Sequence, residues 1–196
     1  MEMQIGDPFV ELTHFNGFKI DLRYASTNNF TGENVYGEFN RAYLHKFAAE
    51  KLRRAAALIF EKRPGTQILI LDALRPRSAQ RKLFSKVEGT PYEKYVANPN
   101  RGSLHNFGFA VDLTLADGEG RELDMGSGFD DFRPISEPSR ENEFFEQGLL
   151  TREHLDNRRL LRDAMVAAGF IAIPHEWWHF NALTLDQAKA SFQIVE

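Results

Sequence analysis

The sequence of 196 residues contains no cysteine. Disulfides, thiolate metal ligands and a cysteine nucleophile are therefore excluded, and any metal must be held by His, Asp or Glu. An excess of charge of one sign is also missing: 24 Lys and Arg against 28 Asp and Glu leave a formal net charge of -4. That balance carries no electrostatic footprint for nucleic acid or an anionic membrane. Apolar runs are short, none approaching the roughly 18 residues of a membrane span. The start, Met1-Glu2-Met3-Gln4-Ile5, has neither a basic stretch nor an apolar h-region. A cytoplasmic location is the default expectation, although a processed precursor would look the same. Tryptophan occurs twice and histidine six times.

Apolar content of 42% and charged content of 27% are ordinary globular values. The length predicts a single domain, 1–196, able to bury a real core. Seventeen Phe point to aromatic-rich packing. Phe18 to Tyr24 alternates as a strand, and Asn28 to Gly37 carries turn signals. Over Arg41 to Lys62, Leu44, Ala48, Leu52, Ala55 and Ile59 recur at helical spacing before Pro64-Gly65. Gln67 to Leu71 reads as a buried strand and Pro76 to Val87 as a helix opened by its proline. Phe109 to Leu115 predicts a strand, and Asp117-Gly118-Glu119-Gly120 a hairpin returning through Arg121 to Met125. Ser127 to Gln147 is polar and loop-rich, a candidate lid or rim. Arg152 to Ala168 is helical, with Thr151 as N-cap and Gly169 beyond its end. Phe170 to Ile173 reads as a strand and Asp186 to Phe192 as a short helix. The mixture is α+β rather than a regular βαβ alternation.

Chemistry concentrates in Pro174-His175-Glu176-Trp177-Trp178-His179, which holds both tryptophans. Literally it is H-E-x-x-H, in which two helical His bind zinc and the Glu is a general base. Its surroundings oppose a helix: a strand-like run precedes it, Pro174 interrupts, and no good helix former lies between His175 and Asn181. The longer signature fails too, with Leu185 where a further His would stand. A second cluster is Ser103-Leu104-His105-Asn106-Phe107-Gly108-Phe109-Ala110-Val111-Asp112. His105 and Asp112 can share a metal only if the chain turns between them, and Asn106-Phe107-Gly108 supplies turn residues. Taken alone, the pair reads more simply as a solvent-facing loop histidine and an unrelated strand carboxylate. Asp112 still calls for a partner, since Val111, Leu113 and Leu115 surround it.

Ser-x-His-x-x-Gly-x-Ala-x-Asp followed later by Glu-x-Trp-His resembles the zinc D-alanyl-D-alanine dipeptidases of the vancomycin-resistance type. These lie within the wider group of zinc D-Ala-D-Ala carboxypeptidases and hedgehog-like domains. Further blocks look like that family's, in the same order: Asp21-Leu22-Arg23-Tyr24-Ala25 with Asn29-Phe30-Thr31-Gly32, Asp72-Ala73-Leu74-Arg75-Pro76, Met125-Gly126-Ser127 with Phe129-Asp130, and Asn157-Arg158-Arg159-Leu160-Leu161. The resemblance spans roughly Asp21 to Phe180.

It implies a hedgehog-like α+β fold with a central antiparallel sheet and flanking helices. It implies one zinc ion per chain, held by His105, Asp112 and His179, with Glu176 as catalytic base and His175 a non-ligand, partly buried after its proline. Arg75 aligns with an active-site arginine, although by itself it reads as a surface residue at a helix start. Ser103 and Asp130 align with residues for the substrate's carboxylate and ammonium ends, and Tyr24 with a pocket tyrosine. Turn, loop and core roles are the simpler readings of those three. Leu104, Asn106 and Phe107 depart from the family's small or polar residues, which would reshape the pocket but spare the ligands. The loop from Val35 to Asn40 aligns poorly, so no substrate contact is assigned there. A strict strand would put Glu176 and His179 on opposite faces, so a bulge or bend is expected. Trp177 and Trp178 are expected to pack beneath the site, and Arg158, Arg159 and Arg162 to form a solvated helix face. The implied activity is hydrolysis of a small D,D-dipeptide in cell-wall metabolism. Alternatives are a D,D- or L,D-carboxypeptidase on peptidoglycan stems and a non-catalytic zinc domain.

Overall fold

A computed structural model describes residues 5–196, so the reading of residues 1–4 lies outside it. The main sheet has the order β2-β4-β5-β7-β6. Its strands are β2 (Phe18–Ile20), β4 (Gln67–Asp72), β5 (Ala110–Ala116), β7 (His179–Asn181) and β6 (Ile171–Ala172). Three of the four pairings are antiparallel, as expected; β2 joins β4 in parallel. That exception follows from the connection, because the chain between them crosses over through α1 (Lys46–Lys62). A two-stranded ribbon of β1 (Phe9–Glu11) and β3 (Tyr43–His45) lies before that helix.

Alternation along β4 and β5 divides the sheet into two faces. Ile68, Ile70, Val111, Leu113 and Leu115 meet Ala48, Leu52, Ala55 and Ile59 of α1 and Leu161, Ala164 and Met165 of α4 (Arg152–Ala167). Each fully buried Leu or Ile contributes about 1.5–3 kcal/mol, so this layer anchors the sheet. The other face carries Leu69 and Leu71, but also Asp112 and Thr114. A bulge between Ile70 and Asp72 brings Asp72 opposite Asp112.

Several boundaries differ from the sequence expectation. The predicted helix from Arg41 begins only at Lys46, because Tyr43-Leu44-His45 pairs with Phe9–Glu11. The strand from Phe18 stops at Ile20 and gives way to a 3-10 turn, Arg23–Ala25. The hairpin turn forms, but its return arm is a single bridge, Ala116–Glu122, whose two bonds run from Leu123 N–H to the Leu115 carbonyl and from Asp117 N–H to the Arg121 carbonyl. The loop-rich stretch holds two 3-10 turns and α3 (Glu141–Glu146). The remaining helices, α2 (Arg77–Val87) and α5 (Leu185–Ser191), fall close to where they were predicted. Thr151 caps α4 as expected, accepting from the His154 N–H. Among the described residues no helix is long and apolar enough to cross a membrane.

Candidate active site

The site lies on the polar face of the sheet, and strand register builds it. Asp112 on β5 stands directly opposite His179 on β7 and, across the bulge, Asp72 on β4. Facing partners in a sheet sit about 4.5–5.5 Å apart, close enough for their side chains to share a ligand. His105 arrives from the 3-10 turn Leu104–Phe107, which ends on Gly108 at φ +71°. A β-carbon there would fall 2.9 Å from the His45 nitrogen and 2.7 Å from the Phe9 ring, so only glycine fits. The turn predicted between His105 and Asp112 is thus present, and it folds the histidine back over its own strand.

His105, Asp112 and His179 converge, with one potential ligand atom from each lying within 4.8 Å of the others. His105 Nε2 is 3.3 Å from His179 Nδ1 and 3.3 Å from Asp112 Oδ2, and His179 Nδ1 is 2.9 Å from Asp112 Oδ1. A tetrahedral metal with bonds of about 2.0–2.1 Å needs donor separations of about 3.3 Å. The outer nitrogens set the tautomers. His105 Nδ1 faces the Ala73 carbonyl at 2.7 Å, which can only accept, so Nδ1 carries the proton. His179 Nε2 donates to Asn181 Oδ1 at 2.8 Å. Both remaining lone pairs therefore point at each other and at a carboxylate. A metal cation satisfies that arrangement of donors, and the outer partners are the kind that orient metal-bound imidazoles. Burial raises the Asp112 carboxyl, but its contacts with His105 and His179 outweigh burial and hold it below the usual range; a metal cation between these groups would act in the same sense.

The segment before His179 is not helical, and His175 is no member of the cluster. The expected bulge or bend takes the form of a turn at Trp177-Trp178, which carries Glu176 to the same side as His179, with Oε2 4.0 Å from His179 Nδ1. Burial, joined by Asp112 and Asp130, pushes Glu176 up to about 8. His175 is exposed at the rim of the cavity rather than partly buried, because the chain turns outward after Pro174.

Arg75 is buried rather than on the surface. Its Nε and Nη2 reach Asp72 Oδ2 at 2.9 and 2.5 Å, Nη1 donates to Gln80 at 2.9 Å, and Nη2 lies 3.5 Å from Asp112. Tyr36 donates to the other oxygen of Asp72. Burial alone would lower the Arg75 pKa, but Asp72, Tyr24, Tyr36 and Asp112 together raise it, so the guanidinium stays charged inside the site. Asp130, at φ +59°, accepts the Tyr24 hydroxyl proton at 2.9 Å. Burial pushes Asp130 up to about 7, against the Tyr24 hydrogen bond, with Asp112 adding to the rise. Ser103 caps the 3-10 turn, where its Oγ accepts from the His105 N–H at 3.3 Å and keeps its own proton for another partner.

All eight residues singled out from the sequence (Tyr24, Arg75, Ser103, His105, Asp112, Asp130, Glu176 and His179) line one cavity of about 270 Å³. Trp178 is buried beneath it, as expected, while Trp177 turns its indole N–H to Ser127. Sequence reasoning assigned no separate role to Asp72 and Tyr36, which act on the others rather than on the cavity, nor to Asn181, which lines the cavity and holds His179. The run Tyr36 … Asp72 … Arg75 gave no periodic signal; only a buried Asp beside a buried Arg could have pointed to it.

The fold thus brings together three side chains able to hold a metal ion, an adjacent carboxylate and a small cavity, an arrangement of the kind found in metal-dependent hydrolases. A family model described as D-ala-D-ala dipeptidase matches residues 8–194. The chain is 35% identical over 188 residues to the D-alanyl-D-alanine dipeptidase of Escherichia coli, covering 92% of this chain and 85% of that one. It is 34% identical over 197 residues to that of Enterococcus faecium (91% and 92%) and 32% over 190 to that of Enterococcus faecalis (88% and 89%). The chain belongs to this D-ala-D-ala dipeptidase family of metal-dependent peptidases.

Proposed function

We propose that this protein is a zinc-dependent D-alanyl-D-alanine dipeptidase that hydrolyses small D,D-dipeptides to free amino acids. One observation carries the substrate class. A half-buried carboxylate, Asp130, held by Tyr24, shares a small cavity with the metal cluster and Glu176. A carboxylate there suits a free ammonium, which is the end a dipeptide offers and an acylated stem peptide lacks. The volume, about 270 Å³, lies below the roughly 300–1,000 Å³ of pockets for larger ligands.

The donor set of two imidazoles and one carboxylate suits zinc among the common metals, and one ion per chain would be held by His105, Asp112 and His179. Zinc bound there would activate water and polarise the scissile carbonyl. Glu176 takes a proton from the attacking water and passes it to the leaving amine; its raised pKa, close to neutrality, suits both transfers. Arg75, fixed by Asp72 and Gln80, directs its remaining N–H groups at the developing oxyanion. Ser103 meets the substrate carboxylate and Asp130 the ammonium.

Metal analysis paired with D-Ala-D-Ala hydrolysis, before and after chelation, tests the reading. Stoichiometric zinc and metal-dependent release of D-alanine are expected, with no cleavage of an N-acylated tripeptide. Glu176→Gln should retain zinc and lose about 10²–10⁴ in turnover. Cleavage of the acylated peptide in preference to the free dipeptide would replace this reading with a carboxypeptidase.

A further inference from the structure

The block Asn157-Arg158 in α4 belongs neither to the metal nor to the cavity lining, and Arg158 is 1% exposed rather than on a solvated face. Each of its three nitrogens donates into one region. Nε donates to the Met125 carbonyl at 2.7 Å, Nη2 to Ser127 Oγ at 3.0 Å and Nη1 to the Ile135 carbonyl at 3.0 Å. Asn157 donates to the Asp124 carbonyl at 2.9 Å. These acceptors flank Asp130 on both sides. Glu141, 3.8 Å away, balances the buried charge.

Ser127 is the shared point. Its Oγ receives the Arg158 proton and, at 3.0 Å, the indole N–H of Trp177. With two donors already aimed at it, its own proton goes to Ser136 Oγ, 2.8 Å away. Trp177 directly follows Glu176. One hydroxyl therefore ties the loop carrying Asp130 to the segment carrying Glu176. Asp130 also needs outside support: a non-glycine residue at φ +59° is strained and persists only where its surroundings hold it.

We infer that Arg158 and Ser127 are positioning residues that set the spacing between Asp130 and Glu176, and so the distance from ammonium to scissile carbonyl that the site accepts. The inference rests on the dipeptidase reading. Neither residue touches substrate; both act through Asp130 and Glu176.

Ser127→Ala removes one hydroxyl with little change of shape and so avoids the folding risk of truncating a buried arginine; Trp177→Phe removes the indole N–H together with part of a buried ring, so its melting temperature is read beside its kinetics. The readouts are KM for D-Ala-D-Ala, the inhibition constant of N-propionyl-D-alanine (which lacks the ammonium), zinc content and melting temperature. Each variant should raise KM about tenfold, the scale of a sub-ångström misplacement, while the desamino inhibitor binds as in wild type and zinc is retained. The double variant should be no worse than the weaker single, because both act through one hydroxyl. Arg158→Lys, which cannot reach three acceptors at once, should show the same split. If KM and the inhibition constant move together, or only the melting temperature falls, the positioning role is overturned. If the wild type does not hydrolyse D-Ala-D-Ala, the dipeptidase reading fails first and takes this inference with it.

Discussion

Replacing Asp130 by Asn separates two consequences of burying a carboxylate. The group has a folded pKa of about 7, set chiefly by burial, against an ordinary 3.8. A folded pKa above the unfolded one means the fold favours the protonated form. The stability contribution is intact below about pH 4 and is lost as pH rises through 7. Three units at about 1.4 kcal/mol each bound the loss at about 4 kcal/mol, and residual solvent access reduces it to the order of 2 kcal/mol. Asn carries no such liability. The metal-free variant should match wild type near pH 4.5 and melt higher near pH 8.5. Binding moves the other way. A charged hydrogen bond to the substrate ammonium is worth about 1.5–3 kcal/mol, so KM for D-Ala-D-Ala should rise roughly 10- to 150-fold. Melting curves at the two pH values and steady-state kinetics at pH 8 measure both. An unchanged KM, or a variant that melts lower at pH 8.5, would refute the assignment of Asp130 as a desolvated ammonium site.

Two further substitutions probe how neighbouring side chains hold the cavity's residues in place. Asn181→Ala removes the acceptor that fixes the His179 tautomer, and zinc affinity measured by competition with a chelator should fall about 10- to 100-fold. Arg75→Ala leaves Asp72 buried with only Tyr36 for company; denaturant melts should show a loss of about 3–5 kcal/mol, together with a fall in kcat.

The four-residue spacing in His175-Glu176-Trp177-Trp178-His179 pointed to a shared metal, but the weak helix formers around Pro174 opposed it. The observed turn leaves His179 in the cluster and His175 at the rim. Helix periodicity over 46–62 and 152–167 was legible because one buried face recurs every three or four residues. Tyr43-Leu44-His45 was not legible as a strand: Leu44 fits the helical spacing, and what overrides it is pairing with β1, far away in sequence. Arg158 departs from the expected solvated face for a related reason, whereas Arg159 stays exposed as expected. Helical spacing places Arg158 on a face, but cannot say that a loop from 124 to 136 folds over that face and offers it three acceptors.

By itself the sequence determined which chemistry was open: no thiolates, no apolar run long enough for a membrane-spanning helix, and six His with a few carboxylates in a family-like order. It also determined most helices and the central strands, since those depend on local periodicity. Only the tertiary structure decided the rest. His179 meets Asp112 and His105 across 67 and 74 residues because the β5–β7 register and the Gly108 turn bring them together. The pairing of Asp72 with Arg75, the Asn181 acceptor and the Ser127 junction depend on the same contacts. Hydrogen bonds between distant segments leave no period in a sequence, and burial, which shifts Asp130 and Glu176 toward neutrality, exists only once the chain has closed around them.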